Sequence, residues 1–144
     1  MRTIFSVLLC LVSSIGFSQV MKLTSNGKPI SLSIQDIVYV RAGTPSGSII
    51  TYGQTQARLN VSQTMSAIQS ASCGNLVSLS VLENISGQTQ STTLLFNVTM
   101  IAEVIPGVNN KAIMTIRTSP RVKYTTASSY TSVTNTISAC ITGG

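Results

Sequence analysis

Two stretches of this chain follow one plan, and that repetition limits the folds open to it. Ile30–Cys73 reads ISLSIQDIVYVRAGTPSGSIITYGQTQARLNVSQTMSAIQSASC, and Thr93–Cys140 repeats its order of apolar runs and turns. Ile37 answers to Ile101, Val40 to Val104 and Ile49-Ile50-Thr51 to Ile113-Met114-Thr115, all at an offset of 64. Arg58-Leu59 answers to Arg121-Val122 at 63, and Cys73 to Cys140 at 67. Two copies are too few to stack as a solenoid, so a pseudo-twofold pair is the expected packing.

Within each copy the pattern is that of strands. Met21–Ser25 and Ile30–Ile34 flank Asn26-Gly27, a two-residue hairpin signal. Ile37–Arg41 is apolar without alternation, as in a strand buried on both faces. A turn over Gly43–Gly47 leads to the paired runs Ile49–Tyr52 and Ala57–Val61 around Gly53. Ser62 is placed to cap a short helix over 63–72, with Met65 and Ile68 on one side and Gly74 closing it. The second copy opens with Leu76–Leu82, a hydrophilic hairpin over Glu83–Ser91, and Leu94, Phe96 and Val98 on one face. Met100–Ile105 follows, then Ala112–Ile116 and Val122–Thr125 around Ser119-Pro120. Analogy makes 127–139 a second helix, while its Thr, Ser and Val content leaves a strand or irregular segment open. The expected fold is strand-dominated α+β: two tandem β-meander-plus-short-helix modules, 19–75 and 76–144, in a pseudo-twofold arrangement.

Composition agrees. Only 8% of the 144 residues are charged, against about 25% in ordinary soluble domains. Forty serines and threonines take their place, giving sheets with uncharged, hydroxyl-bearing surfaces.

The N-terminus reads as an export signal over residues 1–18. Met1–Thr3 is a short basic start, Ile4–Val12 an apolar run and Ser13–Ser18 a small, polar end, so cleavage falls before Gln19. The run is short of the ~20 residues that span a bilayer. Left uncleaved, it would be the chain's one membrane contact. The expected location is periplasmic or extracellular, or a virion.

The whole chain carries +6, and losing Arg2 leaves eight basic residues against three acidic, +5. Lys111, Arg117, Arg121 and Lys123 fall within thirteen positions and form a basic patch if their strands pair. Such a patch suits an anionic surface or an acidic protein, and equally serves solubility. Nucleic acid is set aside at this point, because the interleaved exposed aromatics that single-strand binders carry are missing. Self-assembly stays open.

After cleavage two cysteines remain, Cys73 and Cys140, each ending a copy. Outside the cytoplasm such a pair reads as a disulfide, worth about 4 kcal/mol for a loop of 66 residues. Two free thiols, or bridges between chains, are the competing readings. No metal site is expected, since two cysteines, no histidine and the scattered carboxylates Asp36, Glu83 and Glu103 cannot supply four zinc ligands. No catalytic group and no cofactor motif is found.

Lys22-Leu23-Thr24, Asn26-Gly27-Lys28, Ile30-Ser31-Leu32, Asp36-Ile37, Ile49–Tyr52 and Val61–Thr64 resemble the FlbD-like small flagellar proteins. They also resemble one-module proteins of environmental phages. The resemblance covers residues 21–72 and implies a module shape only: hairpin, apolar strand, capped helix. The function expected from all this is an exported, non-enzymatic structural or binding protein presenting a rigid, disulfide-stapled β scaffold. The alternatives are a virion structural protein and a periplasmic enzyme or inhibitor.

Overall fold

Asn26-Gly27 and Ser86-Gly87 both take left-handed backbone, φ 50° and 73° in the first pair and 53° and 83° in the second. Two consecutive residues of this kind make the tight turn whose twist matches antiparallel strands. The first pair joins β1 (Val20–Ser25) to β2 (Lys28–Ser33); the second joins β6 (Leu76–Ile85) to β7 (Gln88–Asn97). The hydrophilic hairpin expected over Glu83–Ser91 forms, with strand on both sides of the Ser86-Gly87 turn. Its polar residues lie on an exposed arm of the hairpin, where no core selects apolar side chains.

The computed structural model describes residues 19–142. The leader read in residues 1–18 lies outside them. Among the described residues no helix is long and apolar enough to cross a membrane. The fold is a strand-dominated α+β structure. After β2, a 3-10 turn (Ile34–Asp36) leads into β3 (Ile37–Ala42), β4 (Ser48–Tyr52), β5 (Ala57–Val61) and helix α1 (Met65–Ala71). After β7, a 3-10 turn (Val98–Met100) leads into β8 (Ile101–Pro106), β9 (Lys111–Ile116), β10 (Val122–Ser129) and helix α2 (Tyr130–Thr142). One eight-stranded antiparallel sheet runs β5-β4-β3-β7-β6-β10-β9-β8, with β1-β2 as a separate pair.

Two irregularities in strand pairing fall 64 positions apart. A register shift falls between Ile37 and Tyr39 where β3 meets β4, and another between Ile101 and Glu103 where β8 meets β9. The two hairpins nevertheless take unlike positions. β1-β2 forms its own sheet, whereas β6-β7 is inserted between β3 and β10.

The large sheet curls on itself. Strands lie about 4.8 Å apart, so β3 and β10, separated by β7 and β6, would stand about 14 Å apart if flat. Yet the Tyr39 ring on β3 lies 6.1 Å from Tyr124 on β10, and Phe96 on β7 lies 5.3 Å from Tyr124. β10 pairs with β6 only through Thr125↔Leu82 and Thr126↔Val81, which leaves its start free to bend inward. The concave face holds one core, with Phe96, Val77, Val81, Leu94 and Met114. The opposite face of β3–β4, with Val40, Ile50 and Leu95, is covered by β1-β2 and α1.

Thr64, rather than Ser62, caps α1; its hydroxyl accepts from the Ala67 N–H at 3.2 Å. The helix starts at Met65, two residues later than Ser62 could cap, and the Ser62 N–H is bonded to the Thr24 carbonyl, continuing β5. α2 forms despite its composition. Val133, Ile137 and Cys140, spaced on one side, pack into the concave core. The Ser129 hydroxyl accepts from the Ser132 N–H at the helix start, and Thr134 and Thr136 donate back to carbonyls one turn earlier.

Phe96 is fully buried and touches both tyrosines. Phe96→Ala is expected to destabilise the fold by about 3–5 kcal/mol, measured by urea denaturation monitored through tyrosine fluorescence and circular dichroism.

Candidate functional site

The β9–β10 hairpin sets three cations at one end of the sheet. Its register pairs Thr115 with Lys123 and Ile116 with Val122. Arg117 and Arg121 stand just beyond that last pair, flanking the turn at Thr118–Pro120. The turn is tied down: the Arg117 N–H donates to the Met100 carbonyl at 2.8 Å, and the Thr118 hydroxyl to the Pro120 carbonyl at 2.8 Å. Arg117, Arg121 and Lys123 are all exposed. Among the described residues the ion pair that forms is Arg41–Glu83, so none of the three is neutralised by a carboxylate.

Lys123, Thr115 and Glu103 line up across β10, β9 and β8, side chains to one face. Thr115 is only 4% exposed, and its hydroxyl has no hydrogen-bond partner. A buried orphan hydroxyl costs about 1–3 kcal/mol, and Thr115 stands between Lys123 and Glu103 in the cross-strand row.

Lys111 does not belong to the patch. It opens β9 opposite Ser129, and its ammonium donates to the Ala127 carbonyl. Six residues of extended strand put it about 20 Å from Arg117. Counting along the sequence joined the four; the hairpin splits them by putting Lys111 at the far end of the strand.

The second polar cluster was missed by sequence reasoning. Tyr39 and Arg41 alternate onto the concave face of β3, and the Arg41 guanidinium lies 5.8 Å from the Tyr39 ring centroid. Arg41 reaches past β7 to Glu83 at 2.7 Å. Burial works to lower the Arg41 pKa, but the Glu83 carboxylate outweighs it and holds the guanidinium above its ordinary value. Burial also acts to raise the Tyr39 phenol. Hydrogen bonds to Thr51 and Tyr124, with the fields of Arg41 and Arg58, bring it below the usual range instead. Tyr124 is pushed well above that range, first by burial and then by Tyr39 beside it. The i, i+2 spacing of Tyr39 and Arg41 was the available signal, but nothing in the sequence pointed to Glu83 as the partner.

Other candidates scatter. Asp36 and Glu103 are exposed and remote from the Arg41–Glu83 pair in the topology. Among the described residues no three metal-binding side chains come together. Cys73 follows α1, where its sulfur lies 3.7 Å from the Ala71 carbonyl oxygen. Cys140 is a free thiol, half-buried under α2. The expected Cys73–Cys140 bridge is therefore corrected: α1 and α2 pack on opposite faces of the sheet, and the equivalence of their ends in sequence does not bring the sulfurs together.

No family model matches the chain, and no curated protein matches it. Among solved structures it is similar to the LytTr DNA-binding domain of a methyl-accepting/DNA response regulator from Bacillus cereus. Identity is 10%, with 84% of this chain and 97% of that domain covered, at a TM-score of 0.48. Two earlier expectations are corrected here. A scaffold stapled through Cys73 and Cys140 is given up, because Cys140 is a free thiol. Setting nucleic acid aside is withdrawn too, because Arg117, Arg121 and Lys123 gather, exposed, on one anchored turn with no carboxylate partner among the described residues. At this identity and overlay the neighbour's ligand is not transferred to this chain.

The tyrosine pair gives a pH prediction. Because Tyr124 is raised in the fold, its neutral form stabilises the native state below the ordinary phenol value of 10.0. That contribution is lost as pH climbs through the raised value. Tyr39, lowered, contributes with the opposite sign: its part is present above 10.0 and lost as pH falls through its folded value. Absorbance titration near 295 nm should show one phenol ionising early and one late, and Tyr124→Phe should abolish the late phase.

Proposed function

We propose that this chain is a non-enzymatic domain that holds nucleic acid through its phosphate backbone, using the end of the β9–β10 hairpin. The observation that carries the reading is three exposed, unneutralised cations on one anchored turn: Arg117, Arg121 and Lys123. Adjacent positions across an antiparallel pair lie about 5 Å apart, and successive positions on one face about 7 Å along the strand. Charges spread over that span suit a row of phosphates better than one small anion. The aromatic rings nearest the hairpin are turned into the core, so base stacking is not offered. Contacts of this type position a backbone and read no sequence. The mostly uncharged, hydroxyl-rich surface elsewhere leaves the turn as the place where charge is concentrated.

We also read the two units as a duplicated plan. The matched register shifts and 3-10 turns support it, while the two hairpins are placed differently, β1-β2 in its own sheet and β6-β7 in the large one. If residues 1–18 direct export, the same turn would meet nucleic acid outside the cytoplasm; the contact does not depend on compartment.

Fluorescence anisotropy with a labelled 20-base-pair duplex over a series of salt concentrations tests the binding. Binding should weaken with salt, and Arg117→Gln/Arg121→Gln/Lys123→Gln should flatten the log–log slope by about 2.7 for three lost phosphate contacts. A wild-type protein that ignores the duplex at low salt would remove the reading.

A further inference from the structure

Curling of the sheet does more than bury aromatic rings. It folds the turn at 53–56, between β4 and β5, onto the turn between β9 and β10. The Ser119 N–H donates to the Gln54 carbonyl at 3.4 Å, although the two hairpins lie near opposite edges of the strand order. Ala57 pairs with Tyr52 to close the first turn, and Arg58 pairs with Thr51 one step further in. Arg58 is exposed and, among the described residues, has no carboxylate partner. In the aligned copies it is the counterpart of Arg121, the residue that flanks the other turn.

We propose that the two turns act as one two-pronged clamp, Arg58 on one prong and Arg117, Arg121 and Lys123 on the other, seated on the backbone of a nucleic-acid duplex. This rests on the phosphate-binding reading above and adds a residue, a geometry and a ligand form to it. The duplex follows from the same surface. A single strand would need exposed rings to stack its bases, whereas a duplex presents only backbone to a pair of cationic prongs. The Gln54–Ser119 bond joins the two turns, so the prongs are already side by side before ligand arrives, at less cost in loop freedom on binding.

The experiment compares Arg58→Gln, Arg121→Gln and Lys28→Gln by anisotropy with the labelled duplex and with a single strand of equal length. Lys28 lies in the β1–β2 hairpin, whose Thr24 is bonded to Ser62 at the other end of β5, and its loss changes net charge equally. The clamp predicts that Arg58→Gln weakens duplex binding as Arg121→Gln does and lowers the salt slope by about 0.9. Lys28→Gln should stay near wild type, and Arg58→Lys should recover most of the loss. A wild-type protein that binds duplex while Arg58→Gln matches Lys28→Gln overturns the clamp and leaves the hairpin site standing. Tighter binding to the single strand overturns the duplex assignment. Failure of wild type to bind either form overturns both readings.

Discussion

Phe96 is the hinge pin of this molecule. It sits on β7, pairs with Tyr39 on β3 and Val77 on β6, and meets Tyr124 from the far side of the curl. Rings in tilted and edge-on contact at these distances contribute beyond the area they bury. Their larger effect is geometric. They hold β10 over β3 where backbone pairing between β10 and β6 is only two residues long. Without them, the aliphatic core and two residue pairs between β10 and β6 would be left to hold the curl.

Around that pin the polar groups are arranged by necessity. Arg41 and Glu83 enter the concave face only as a pair, since either alone would be a half-buried charge without a counterion. Asn97 does comparable work beside Phe96. It is buried, its amide donates to the carbonyls of Ile34 and Ile37, and its oxygen accepts from Thr99. It thereby locks the 3-10 turn before β3 to the 3-10 turn before β8. The cations at the hairpin end are the opposite case: exposed, unpaired and outside any internal network.

Strand positions and turn glycines were legible in the sequence because each depends on local pattern. Asn26-Gly27 announces its turn, and the apolar run Ile37–Val40 announces a strand buried on both faces. What was not legible is the path of the sheet. Nothing in the order of residues says that β6-β7 enters the large sheet while β1-β2 lies apart. The Cys73–Cys140 bridge failed for that reason: symmetry of sequence was taken as symmetry of placement, and the helices went to opposite faces. Of the four cations read as one patch, Arg117, Arg121 and Lys123 share the turn end of the β9–β10 hairpin, while Lys111, close in number, stands at the other end of the strand. Arg58 was visible in the alignment of the copies, beside Arg121, but only the curl makes the pair meaningful. α2 was left open because propensity disfavoured it; the apolar stripe of Val133, Ile137 and Cys140 decided the matter.

The account stands on a single spatial claim, that two turns distant in the chain form one phosphate-facing end. Backbone amide chemical-shift mapping during titration with duplex addresses it residue by residue. The account predicts perturbations concentrated at 53–58 and 115–123, in the same titration range. Perturbations that spare either segment, or that gather on β1-β2 or α1 instead, would contradict it.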